Sequence, residues 1–107
     1  MTDNVKKIIE ILDKAVVFDT KVYDMTSLTP FYDFSIIASV KNSRQGNAAV
    51  DYLRKDAPLN GFTIRSISGH SDSRWFLVDL NDIVVHIFVG DERDRYNLDG
   101  LYSHNFR

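Results

Sequence analysis

Near the start of the chain apolar residues recur every three or four positions: Val5, Ile8, Ile9, Leu12, Ala15 and Val16. That spacing lines one face of a helix, so residues 3–17 are expected to form an amphipathic helix capped by Thr2 or Asp3. From Phe18 to Met25 strand-tolerant residues take over, with Val22 between Thr20 and Tyr23, and a short strand is expected there. Thr26–Pro30 ends it, because Pro30 donates no amide and pushes Thr29 toward extended backbone. Phe34–Val40 is almost wholly apolar or small, the pattern of a central strand covered on both faces. Asn42 and Ser43 then read as a helix cap. The helix that follows is expected to bury Ala48, Ala49, Tyr52 and Leu53, to turn Asp51, Arg54, Lys55 and Asp56 to water, and to end at Pro58, Asn60 and Gly61. Phe62–Ile67 alternates with period two and reads as a strand, and Gly69–Ser73 as a loop.

The clearest local signal is a hairpin. Trp75–Leu80 and Ile83–Val89 are separated by two turn-compatible residues, Asn81 and Asp82. Such a turn pairs Leu80 with Ile83, Val78 with Val85 and Phe76 with Ile87, a uniformly apolar face that belongs in a core. The opposite face pairs Asp79 with Val84, Leu77 with His86 and Trp75 with Phe88. Beyond it, Asp91–Tyr96 is charged and helix-compatible, and Leu98, Leu101 and Tyr102 cluster at helical spacing, as a terminal helix packing on the core would. The order of elements predicts an α/β fold, a single mixed β-sheet of about five strands with packed helices. With 107 residues the chain is expected to form one domain, residues 1–107.

Composition narrows the chemistry. There is no Cys, which removes disulfides, thiolate zinc sites and cysteine nucleophiles. Thirteen Lys and Arg against fifteen Asp and Glu give a net charge of −2, which disfavours a phosphate backbone as main partner and suits a basic protein surface. No apolar run approaches the ~18 residues of a membrane span, and the first residues do not read as an export signal; a cytoplasmic protein is expected. The five Gly are isolated at 46, 61, 69, 90 and 100, so there is no glycine-rich phosphate loop. His70, His86 and His104 lack metal-ligand spacing, and neither metal nor cofactor is expected. Asp79 and His86 are the one candidate acid–base pair, as in a small metal- or nucleotide-dependent enzyme, but no nucleophile accompanies them and a satisfied strand histidine is the better reading. Arg44 at a helix start suits either an anion site or a solvated charge. Trp75 lies beside Leu77 and Phe88 on the non-core face, which makes an exposed patch if no helix covers it.

Tyr32–Ser39 followed by Asn42-Ser43-Arg44-Gln45 resembles the strand and helix start of the ribosomal silencing factors, the Iojap family. A second block is more specific: Trp75, Asp79, Asp82, Val84-Val85-His86, Arg93, Tyr96, Leu98 and Leu101 follow the family's order and spacing. The resemblance implies a fold similar to that of nucleotidyltransferases without the active site, and no enzymatic activity. It implies docking on the large ribosomal subunit at its fourteenth ribosomal protein, with little direct RNA contact, so that the small subunit is kept from joining and translation is repressed. Some relatives act instead in large-subunit assembly. Carried onto this sequence, the partner-binding set is Trp75, Leu77, Asp79, Asp82, His86, Phe88, Tyr96 and Arg44, and an uncovered face would also allow a homodimer off the ribosome. Five positions depart from the family pattern: Val40-Lys41 stands where Gly-Thr is usual, Asn81 replaces Gly, Ser68 replaces Glu, and Tyr102 replaces Trp.

Overall fold

Thr2 sits in extended backbone and its hydroxyl accepts the Val5 amide at 3.3 Å, which starts helix α1 at Asp3. The computed structural model describes residues 2–107. Helix α1 ends at Leu12, earlier than the apolar spacing predicts. The amides of Lys14 and Ala15 bond to carbonyls three residues back, a tightened last turn, and Lys14 Nζ is drawn to Asp56 at 2.7 Å. Val16 consequently points to solvent, while Ala15 and Val17 fold onto the core.

Five strands form one mixed sheet in the order β1 (Phe18–Asp24), β2 (Phe34–Val40), β5 (Ile83–Val89), β4 (Trp75–Asp79), β3 (Ser66–Ser68). Strands β2 and β5 are parallel and every other neighbour is antiparallel. β2 and β5 occupy the middle, and their largely apolar runs, with Ser35, Ser39 and His86 the polar members, are buried on both faces, as such runs require. The hairpin has the expected register in every pair, with Asn81 adopting the left-handed conformation (φ 76°) that its turn demands. The expected strand over residues 62–67 is reduced to a short edge at Ser66–Ser68. Phe62 and Ile64 still pack on the core from extended backbone, but only Arg65 and the residues after it reach β4.

Helix α2 (Ser43–Asp56) is capped by Asn42, whose side chain accepts the Gln45 amide at 2.9 Å, while Gln45 in turn accepts the Lys41 amide at 3.3 Å. Its buried face is rotated from the expected one, sharing only Ala49 and Leu53 with it. Gly46, Ala49, Val50, Leu53 and Asp56 turn inward, and Ala48 and Tyr52 turn outward. The cause lies across the interface: a Cβ on Gly46 would stand 2.4 Å from the Phe76 ring, so the helix seats on its smallest residue and rotates Tyr52 away. Asp56, expected in water, is buried because it pairs with Lys14.

The sheet therefore has two differently dressed faces. On the first, Val22, Ile36, Val78 and Val85 meet α1 and α2 in a continuous apolar core. On the second, alternation and register place three cross-strand rows: Tyr23–Ser35–Val84–Asp79, Lys21–Ile37–His86–Leu77, and Ser39–Phe88–Trp75. Over this face runs the C-terminal strap, with α3 (Glu92–Tyr96), α4 (Leu98–Leu101) and a 3₁₀ turn (Ser103–Asn105). No helix among the described residues is long and apolar enough to cross a membrane.

Candidate functional site

Trp75, Leu77 and Asp79 project from β4 onto the second face, and Val84, His86 and Phe88 meet them from β5. The exposed patch expected on this face if no helix covers it is only partly realised, because the strap covers part of it. Tyr23, Met25, Ile37 and Phe88 are buried together, with Trp75, Leu98 and Tyr102 packed against them. The physical reason is the area at stake, since two strands of large apolar groups left in water would strongly favour collapse of any neighbouring apolar segment. Leu98 and Tyr102 are that segment, and the expectation that they join a core is met on this side of the sheet. Leu101, expected with them, points instead to solvent, because the chain bends at the left-handed Asn97 and the helix is too short to keep all three on one face.

What the strap leaves open is a groove of about 530 Å³. Trp75, Leu77, Val84 and His86 line it from the sheet, Leu98 and Tyr102 from the strap, and Phe31 and Tyr32 from the loop before β2. Arg65, Asp79 and Asn81 supply its charged and polar groups. Phe31 is 79 % exposed, an unusual position for a phenyl ring. Burial, with Tyr102 and Asp79 nearby, raises the pKa of the Tyr32 phenol. Burial shapes this groove more than charge does.

The aromatic groups are ordered as a stack. Trp75 lies 4.9 Å from Phe88 and 4.6 Å from Tyr96 between ring centroids. Its indole Nε1–H donates to His86 Nδ1 at 3.1 Å. His86 is only 6 % exposed, and burial pushes its pKa down to about 4, so the imidazole is neutral near neutral pH. With Nδ1 accepting from the indole, the ring proton is assigned to Nε2, which makes His86 a fixed hydrogen-bond donor in the groove wall.

His86 finds its hydrogen-bond partner in Trp75 and not in Asp79. Asp79 and His86 sit in different cross-strand rows, and the nitrogen that a carboxylate would orient is already held by Trp75. Asp79 instead accepts the Asn81 amide at 2.9 Å and shapes the turn. Among the described residues no three His, Asp or Glu side chains gather as they would around a metal ion.

Of the residues expected to bind a partner, Trp75, Leu77, Asp79 and His86 share the groove. Tyr96 buttresses Trp75 while remaining 48 % exposed. Phe88 is fully buried under the indole, so it supports the groove without reaching its surface. Asp82 lies at the hairpin turn beside a separate cleft with Asn4 and Phe62. Arg44 is exposed at the start of α2, which packs on the other face of the sheet, so Arg44 cannot share the groove. Phe31 comes from a loop, where no periodicity marks a residue as inward or outward, and Arg65 reads only as a polar position of the expected strand over residues 62–67. A second polar cluster was also unforeseen: Arg93 donates to Asp99 through Nε (2.8 Å) and Nη2 (3.0 Å), and to Ser39 Oγ at 2.9 Å.

A family model described as "Ribosomal silencing factor during starvation" matches residues 1–107. The chain is 34 % identical over 85 residues to Ribosomal silencing factor RsfS of Bacillus subtilis, covering 79 % of this chain and 72 % of that protein. It is 37 % identical over 80 residues to the Halalkalibacterium halodurans protein of the same name, covering 75 % of this chain and 68 % of that one. A crystal structure from Chromobacterium violaceum superposes with a TM-score of 0.89 at 29 % identity, over 94 % of this chain and 84 % of that chain. One from Bacillus halodurans does so with a TM-score of 0.81 at 31 % identity, over 92 % and 91 % respectively. With a model match along its whole length and relatives above 30 % identity that it largely covers, the chain belongs to the ribosomal silencing factor family.

Proposed function

We propose that this protein represses translation by seating its groove on the fourteenth protein of the large ribosomal subunit and holding the small subunit away by bulk. The observation that carries the reading is the part-exposed Trp75, stacked on Phe88 and locked to His86, standing over an open groove. A rigid aromatic anchor in a desolvated pocket is the usual centre of a protein interface, because it excludes water over a large area at small entropy cost. The His86 Nε2–H gives the groove one oriented donor, suited to a carbonyl on the partner. Asp79 and the net charge of −2 favour approach to a basic ribosomal protein. The family to which the chain belongs is named for silencing ribosomes and not for a reaction.

The mechanism is steric. A body of 33 × 33 × 20 Å at an intersubunit surface is thick enough to keep two complementary faces from meeting. Nothing has to be turned over, and only occupancy matters, so repression follows the fraction of large subunits bound. Cosedimentation with isolated subunits tests this. The protein is expected to travel with large subunits and not with small ones, and to slow their association in a light-scattering assay. Binding to both subunits alike, or binding without any effect on joining, would overturn the reading.

A further inference from the structure

The strap reaches the groove because it is fastened, and the fastening converges on one side chain that does not line the groove. Arg93 leaves α3 and meets Asp99 of α4 with two nearly parallel hydrogen bonds, 2.8 Å from Nε and 3.0 Å from Nη2. This fork closes an elbow at Asn97, which is left-handed (φ 52°) and whose side chain accepts the Gly100 amide at 3.1 Å. The remaining contacts tie the elbow to the sheet. Nη1 donates to the Asp19 carbonyl at 2.6 Å and to Ser39 Oγ at 2.9 Å, and the Tyr23 hydroxyl donates to Asp99 at 2.5 Å. Asp19 offers that carbonyl from a bulge in β1, where its own φ is 52° and the register with β2 shifts.

Both partners are largely shielded, with side-chain exposures of 11 % for Arg93 and 23 % for Asp99. A shielded, bidentate, charge-assisted pair constrains direction as well as distance, which a lysine in the same place cannot do. On one side of the elbow Tyr96 is laid against Trp75; on the other Leu98 and Tyr102 form the wall of the groove.

We infer that Arg93 is a positioning residue for the docking groove: through Asp99 it closes the elbow that presses Tyr96, Leu98 and Tyr102 toward Trp75. The inference rests on the reading of the groove as the ribosome-binding surface, and its test separates the two. Trp75 is the only tryptophan, so its fluorescence reports on the groove without any partner. In Arg93→Gln the indole emission is expected to shift to the red and become more accessible to acrylamide, while affinity for large subunits falls about tenfold. Arg93→Lys should lie between this variant and wild type. Leu53→Ala, in the core of the opposite face, should lower the melting temperature yet leave both readouts unchanged below its transition. Should Arg93→Gln fail to fold, Asp99→Asn carries the same test with the side-chain shape kept. Unchanged quenching and unchanged affinity in a folded variant would overturn the inference. Altered quenching in a variant of a protein whose wild type binds no large subunit would uphold the role of Arg93 and remove the ribosomal reading.

Discussion

The same strands present two faces that are covered by different means. One face meets two helices of regular amphipathic pattern, and its contacts are apolar apart from the Lys14–Asp56 ion pair at its margin. The other meets a strap of two very short helices held by an ion pair, a bulge and a tyrosine hydroxyl. The helical cover hides its face, and the strap hides only part of the other. The apolar core lies under the first face, and the proposed docking groove lies on the second. A small domain keeps a sizeable aromatic surface available in this way without giving up a closed core.

Substitutions break the comparison cleanly if each face is disturbed alone. The largest effect belongs to Phe76→Ala. The ring is fully buried and wedged between Gly46 and Gly69, so its loss should cost about 3–5 kcal/mol of stability in chemical denaturation. Affinity for large subunits per folded molecule should not change.

Acid comes next. His86 has its pKa lowered from 6.5 to about 4 by burial, so the unfolded chain takes up a proton in that interval and the folded one does not. Its contribution is present above pH 6.5 and is lost as pH falls toward about 4, a change on the order of 3 kcal/mol when complete. Denaturation at stepped pH should show a shallower decline for His86→Gln; an identical slope would take the effect away from His86.

Asp79→Asn keeps an acceptor for the Asn81 amide and removes one charge from the groove. Its effect should be under about 1 kcal/mol on subunit affinity, with a weaker dependence on salt and no change in melting. Arg44→Ala is the smallest case. It lies on the helix that packs on the far face, and both stability and affinity should stay within about 0.5 kcal/mol of wild type.

The same division explains what could be read from the sequence. Strand β2 was legible because a strand covered on both faces reads as a continuous run of apolar and small residues, and the hairpin because a two-residue turn fixes register. That register already placed Trp75, Leu77, Asp79 and His86 on one face. The end of α1, the rotation of α2 and the course of the strap were not legible. Each is decided by a contact between distant parts of the chain: Lys14 with Asp56, Gly46 with Phe76, Arg93 with Ser39. Local spacing carries no trace of such pairs. Phe31 escaped for a related reason, since loop residues have no periodic pattern to betray their direction.

The most direct measurement is the affinity of Trp75→Ala for isolated large subunits beside that of wild type. Loss of a central aromatic anchor should weaken binding by about thirtyfold, roughly 2 kcal/mol, with the variant still folded. Equal affinities for the two proteins would contradict the assignment of recognition to this face of the sheet.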